Sequence, residues 1–237
     1  MAESFSLNSL DIILPKRKDN SHKGFYGRVA VIAGSKSMGG AGILASEASV
    51  FCGSGLVNLF THISNVQASL ERNPEVMAIG IESHKDISGN FDIGLIGPGF
   101  KDDDWSKEVY RYITLNYSGV LIIDAGALRL LQKKQVYDKK ELILTPHPGE
   151  AGALLNISTD EIQQNREECA KAIANKYDAA AVVVKGYNTL VHIKDEDKTF
   201  LCKNGGPVLA TGGTGDVLAG GICALLAQKL SLKEVFS

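Results

Sequence analysis

The sequence predicts a single α/β domain: a mainly parallel β-sheet in a three-layer sandwich, with helices on both faces. Short, continuously apolar, β-branched runs alternate with helical patterns along most of the 237 residues, the pattern of a sheet covered on both sides. Glycine and polar clusters fall at the carboxyl ends of those runs, where open α/β sheets hold their ligands. No repeat, low-complexity tract or linker divides the chain, so residues 1–237 read as one unit, large enough to bury one substantial core.

In chain order, strands are expected at residues 28–33, 56–60, 92–96, 120–123, 142–144 and 181–184. Between the first two, residues 41–51 have helical spacing, with Ala41, Leu44, Ala45, Ala48 and Phe51 on one face. Residues 189–193 and 199–201 flank the charged turn Lys194-Asp195-Glu196-Asp197-Lys198 and read as an antiparallel hairpin. A last helix is expected over residues 217–228.

Composition narrows the function classes. Hydrophobic content of 44% and charged content of 22% are ordinary for a soluble protein. A net charge of -2 gives no reason to expect nucleic acid or an anionic membrane as partner. No apolar run approaches the roughly 20 residues of a membrane span, and the first twenty residues lack the layout of a signal peptide. Cys52, Cys169, Cys202 and Cys223 are scattered without metal-ligand spacing. They read as core thiols of a cytoplasmic protein.

Five clusters carry candidate chemistry. Ala210-Thr211-Gly212-Gly213-Thr214-Gly215-Asp216 opens the last helix. Gly212, Gly213, Thr214 and Gly215 let the chain turn tightly with its amides converging, and amides at a helix N-terminus favour a phosphoryl group. Asp216 stands where a carboxylate could take a proton from an attacking hydroxyl; a plain N-cap is the other reading. In Thr145-Pro146-His147-Pro148-Gly149-Glu150, two prolines pin the loop that presents His147, while Glu150 suits the start of a helix through its dipole alone. In Lys185-Gly186-Tyr187-Asn188-Thr189, Lys185 offers a point charge to a phosphate and Gly186 allows close backbone approach. Ile96-Gly97-Pro98-Gly99-Phe100 and the glycine-rich loop of residues 34–42 end two further strands. The latter is neither a Walker A loop nor a compact dinucleotide-binding turn, and no acidic residue follows the strand ending at Phe60 to bind a ribose. Asp124, after the strand at 120–123, reads as a turn or cap residue ranking below Asp216.

Taken together, KGFYGRVAVIAGSKSMGGAGILASEASVFCGSGLV, IGPGF, IIDAGAL, LTPHPGE, VVVKGYNTLV and NGGPVLATGGTGDVLAGGICALLAQ resemble, in order, the motifs of the ADP/ATP-dependent NAD(P)H-hydrate dehydratases. The resemblance runs from about Ser21 to Gln228, and the pairing of TPHPGE with TGGTGD is its specific part. It implies a ribokinase-like fold and ADP- or ATP-dependent dehydration of the hydrated S forms of NADH and NADPH, by phosphorylation of the ring hydroxyl and loss of phosphate. It further implies that Ala41, Gly99, His147 and Asp216 line the hydrated dinucleotide. Lys185, Gly186, Tyr187, Asn188, Thr189 and Gly215 would hold the adenine nucleotide, with Mg²⁺ assisting and Glu150 aligned with the glutamate associated with that metal.

Members usually continue for some tens of residues past the helix ending near Gln228, which leaves completeness at the C-terminus open. Many also carry an epimerase domain, and nothing here resembles one. A homo-oligomer is expected, a tetramer before others. The alternative is a ribokinase-like vitamin kinase, though His147 stands where that wider superfamily usually has asparagine. A nucleotide-sensing binder without turnover is the third reading, and an intact Asp216 speaks against it.

Overall fold

The computed structural model describes residues 2–5, 16–131 and 141–236. The strands are β1 (Glu3–Phe5), β2 (Arg28–Ile32), β3 (Leu56–His62), β4 (Met77–Ile81), β5 (Ile93–Ile96), β6 (Val120–Ile123), β7 (Leu142–Leu144), β8 (Ala181–Val184), β9 (Thr189–Ile193) and β10 (Lys198–Cys202). The helices are α1 (Gly39–Phe51), α2 (Val66–Arg72), α3 (Asp104–Asn116), α4 (Pro148–Leu155), α5 (Thr159–Gln164), α6 (Arg166–Tyr177), α7 (Thr214–Ala227) and α8 (Leu232–Phe236).

One sheet contains all ten strands, in the order β4-β3-β2-β5-β6-β7-β8-β9-β10-β1. From β4 to β8 every pairing is parallel. The hairpin of β9 and β10 adds antiparallel strands as expected, and β1 closes that edge in parallel with β10. Side chains alternate between two cores. Ala30, Ile32, Ile96, Leu121, Ile123 and Val184 pack beneath α3, α4, α5 and α6. Val29, Val31, Leu59, Leu95, Ile122 and Val183 pack beneath α1, α7 and α8. Strands buried on both faces must be apolar at nearly every position, so they stood out in the sequence. Two did not. β1 is three residues long, and β4 carries Gly80 and lies on the sheet edge, where strand propensity is weak. Among the described residues no helix is long and apolar enough to cross a membrane.

Two expectations need correction. Phe51 is 72% exposed, and the buried face of α1 is Gly42, Ala45, Ser46, Ala48 and Ser49. The reason is close packing of α1 on α7: a methyl built on Gly220 would lie 2.1 Å from the Ala45 carbonyl oxygen. Only small residues fit that crossing, so the large side chain at position 51 turns outward. The four cysteines are not all core thiols either. Cys169 and Cys223 are buried, Cys52 is exposed and Cys202 is intermediate.

The crossing gives a test in which packing and helix propensity oppose each other. Alanine is a better helix former than glycine by about 1 kcal/mol, yet Gly220→Ala should lower stability by about 1–3 kcal/mol through overpacking. A urea midpoint equal to or above that of the wild type would contradict the crossing.

Candidate functional site

β2 lies between β3 and β5, so the chain leaves it in opposite directions and the loops after β2 and β5 meet at this switch point. Those loops are pinned together there. Gly34 N donates to Pro98 O at 2.8 Å and Ser35 N to Gly99 O at 3.0 Å. Gly99 has φ +67, and a methyl on it would come within 2.6 Å of Met38 O and 3.1 Å of Ala41 Cβ. The fold therefore brings Gly99 and Ala41 side by side. Behind them Thr61 Oγ1 and Asn65 Nδ2 donate to Gly34 O at 3.0 and 2.8 Å, which fixes the first loop from within.

The second group gathers at the ends of β6, β7 and β8. Asp124, 1% exposed, accepts from Lys185 Nζ at 2.6 Å and from Thr145 Oγ1 at 2.7 Å. Its side chain makes no capping bond to the turn that follows. Lys185 is 17% exposed, and Gly215 lies opposite its ammonium, where a built methyl would sit 3.4 Å from Nζ. Gly215 belongs to the first turn of α7, whose N-cap is Gly213 in the left-handed region at φ +90. The first amides of α7 have no partner within the helix, and the positive end of its dipole adds to the attraction for an anion. Gly213 also receives Leu44 of α1, whose Cδ1 is 2.4 Å from where a methyl would stand. The loop of residues 210–213 is thus wedged between the two halves of the site.

Asp216 is the third residue of α7, so the N-cap reading fails: Gly213 has that place. Its carboxyl is half-buried and pushed up to about 6, first by burial and then by the charge of Asp124, with Lys185 opposing. A carboxylate titrating there is a better proton acceptor near neutral pH than an ordinary aspartate.

A cleft of about 1450 Å³ opens beside α7. Its wall includes His147, the run from Lys185 to Thr189, Gly212, Thr214 and Gly215. These are the residues expected to hold the nucleotide and its phosphate, together with one expected at the dinucleotide. Ala41, Gly99, Glu150 and Asp216 are not on that wall. His147 is the N-cap of α4: its Nδ1 accepts from Gly149 N at 3.0 Å and Glu150 N at 3.2 Å. Glu150 completes the capping box by accepting from His147 N at 2.8 Å, and it lines a separate hollow of about 160 Å³ with Leu128, Arg129 and Tyr177.

The family model for NAD(P)H-hydrate dehydratase matches residues 29–236. The chain belongs to the NAD(P)H-hydrate dehydratase family. It is 38% identical to an ADP-dependent (S)-NAD(P)H-hydrate dehydratase of Staphylococcus aureus, over 97% of this chain and 82% of that protein. It is 39% identical to a bifunctional NAD(P)H-hydrate repair enzyme of Coxiella burnetii, over 93% of this chain but only 45% of the relative, so it spans about half of such two-function proteins. The crystal structure of an ADP/ATP-dependent NAD(P)H-hydrate dehydratase from Bacillus subtilis, co-crystallised with ATP/Mg²⁺, superposes with a TM-score of 0.84 at 30% identity, covering 94% of this chain and 80% of that one. Ribokinase of Giardia lamblia, at 8% identity and a TM-score of 0.54, shares the fold alone, as the ribokinase-like expectation requires.

Two residues escaped the sequence reading of this family member. Asp124 read as a turn residue, and its partners Thr145 and Lys185 lie 21 and 61 positions away. Arg166 was not singled out, yet its guanidinium binds the loop after β8. No local pattern announces either contact.

Asp216 also gives a stability test. Its folded pKa of about 6 exceeds the ordinary 3.8, so the fold favours the protonated form. That contribution is complete below about 3.8 and is lost as pH rises through about 6. Asp216→Asn removes the unfavourable charge. The variant should melt above the wild type at pH 8, with the gap closing toward pH 4. A gap that is absent at pH 8 or widens on acidification would contradict the half-buried setting.

Proposed function

We propose that this chain uses ADP or ATP to dehydrate the hydrated S forms of NADH and NADPH, returning the reduced dinucleotides. The observation that carries this is the first turn of α7. Its residues Thr214 and Gly215 line the cleft together with Lys185, while the half-buried carboxyl of Asp216 belongs to the same turn. An anion-binding turn and a proton acceptor one residue apart suit phosphoryl transfer to a hydroxyl, and would not be needed by a protein that only binds nucleotide.

On this reading the nucleotide lies along Lys185, Gly186, Tyr187, Asn188 and Thr189, with its terminal phosphoryl group at Gly212, Gly213, Thr214 and Gly215. The hydrated dinucleotide comes from the side of Ala41 and Gly99. Asp216 takes the proton of the ring hydroxyl as that oxygen bonds to phosphorus and the bond to the departing nucleotide breaks. The carbon–oxygen bond then breaks, inorganic phosphate leaves, and loss of a proton from the neighbouring carbon restores the ring double bond. Lys185 balances charge on the transferred group while Asp124 holds it in place.

Mg²⁺ commonly rides on nucleotide phosphates with one or two carboxylates and several waters. The described residues contain no group of three His, Cys, Asp or Glu side chains able to hold a metal, and both oxygens of Glu150 face His147. Glu150 lies off the cleft wall with both oxygens engaged by His147, so on this reading the ion would arrive as a companion of the nucleotide.

The direct test supplies hydrated NADH with ADP or ATP. Absorbance of the reduced nicotinamide should return with one inorganic phosphate per turnover; a stable phosphorylated product without that absorbance would make the protein a kinase instead. Asp216→Asn should bind nucleotide and turn over at least about a hundredfold more slowly. In the wild type, kcat/KM should fall about tenfold per pH unit below about 6, following the Asp216 carboxyl. An acid limb that persists near 6 in Asp216→Asn would remove Asp216 as the base.

A further inference from the structure

The loop joining β8 to β9 holds an uncommon shape, with Gly186 at φ +141 and Asn188 at φ +54. The Tyr187 side chain stands in solvent at 86% exposure. What grips this loop is Arg166, the first residue of α6. One guanidinium nitrogen donates to Tyr187 O at 2.6 Å and Asn188 O at 3.0 Å. The other donates to Val184 O at 2.7 Å and lies 3.5 Å from Lys185 O. Four carbonyls of a five-residue stretch therefore converge on one side chain.

The position is unfavourable for a cation in other respects. It is at the positive end of a helix dipole. Among the described residues Arg166 has no carboxylate within ion-pair distance, and its buried Nε has no hydrogen-bond partner. Burial lowers its pKa from the ordinary value. Space-filling alone would be served by an apolar side chain without these costs. The planar fork of arginine presents five donors in fixed directions, which a lysine ammonium cannot reproduce.

Arg166 is not on the cleft wall, whereas Lys185, Tyr187 and Asn188 are. We infer that Arg166 is a positioning residue for the adenine nucleotide: it orders the 184–188 backbone from beneath so that this loop forms a fixed wall of the nucleotide cleft. The inference rests on the reading that residues 185–189 hold the nucleotide.

Three measurements on Arg166→Lys and Arg166→Met separate the parts. By hydrogen exchange, amides of residues 185–189 should exchange faster in both variants, with the centres of β8 and α7 protected as in the wild type. By calorimetry with ADP and with ATP, Kd should rise at least about tenfold, the scale of one charge-assisted hydrogen bond. In turnover, KM for the nucleotide should rise by the same factor, while kcat at saturating nucleotide and KM for hydrated NADH stay within about twofold. Unchanged loop exchange, or unchanged Kd with a loosened loop, would overturn the inference. So would loss of folding in both variants, or lost protection spreading through β8 and α6, since either assigns Arg166 to the core. A wild type that binds neither nucleotide would remove the functional reading first, and this failure is recognised because loop exchange still responds to the variants.

Discussion

Asp124 is almost wholly withdrawn from water at the end of β6, and a carboxylate there is tolerable only through its two partners. Thr145 follows β7 and Lys185 follows β8, so one hydroxyl and one ammonium tie together the ends of three neighbouring strands. A buried ion pair is weak evidence of stability, because desolvation offsets most of the attraction and an apolar substitute is often as good. What the pair does supply is position. It sets the Lys185 ammonium against Gly215 at the start of α7 and brings both charges of the pair to bear on Asp216, Asp124 raising its pKa and Lys185 opposing. The cationic side of the cleft follows from that contact, and the charge of Asp124 adds to burial, the larger cause, in raising the pKa of Asp216.

The other half of the edge is held without charges. At the switch point, Gly34 O accepts from Thr61 Oγ1, Asn65 Nδ2 and His62 N, and two further backbone bonds tie residues 34 and 35 to Pro98 and Gly99. The Ser35 and Ser106 hydroxyls, 2.8 Å apart, anchor the same loop to α3. Neutral hydrogen bonds suffice here because the bonded stretch at Gly34 and Ser35 is buried and its polar groups find partners. The α1–α7 crossing then couples the two halves. Any rotation of α1 that moved Ala41 would also press Leu44 against Gly213. That crossing is why small residues are concentrated on both helices, more than any demand of helix propensity.

The strands of the central sheet were legible because burial on both faces leaves no polar positions to obscure them. The glycine loops were legible because a positive φ or a close backbone approach permits few other residues, as at Gly99 and Gly213. The face of α1 was misread for a related reason: the spacing of Ala41, Leu44, Ala45, Ala48 and Phe51 reports apolar character, whereas the crossing selects for size. Asp124 was noticed but ranked too low, and Arg166 was not singled out. Each is a polar residue whose meaning lies in a partner about twenty or more positions away. His147 sits between these cases. Two prolines announced a rigid presentation, but not that Nδ1 would be used to cap α4. An Nδ1 that accepts two amide protons leaves the ring proton on Nε2.

That tautomer bears on how two reactants would share one helix terminus. The residues proposed to hold the nucleotide, from Lys185 to Thr189 with Gly212, Thr214 and Gly215, line one cleft. Ala41, Gly99 and Asp216 lie off its wall, Ala41 and Gly99 at the loops of β2 and β5 and Asp216 near Asp124 and Lys185. In-line phosphoryl transfer needs its attacking and departing oxygens on opposite sides of phosphorus. A helix N-terminus with the donor on one flank and the acceptor on the other meets that demand with no movement of the sheet. The transferred group would pass across the amides of residues 212–215, which are common to both flanks. His147 is the exception among the residues expected at the dinucleotide, since it stands on the nucleotide's wall with a fixed Nε2 donor. A donor there could meet the phosphate arms of either reactant. On the proposed reading His147 therefore acts on the ligands' anionic parts, and the paired Ala41 and Gly99 present the surface that the hydrated ring would meet.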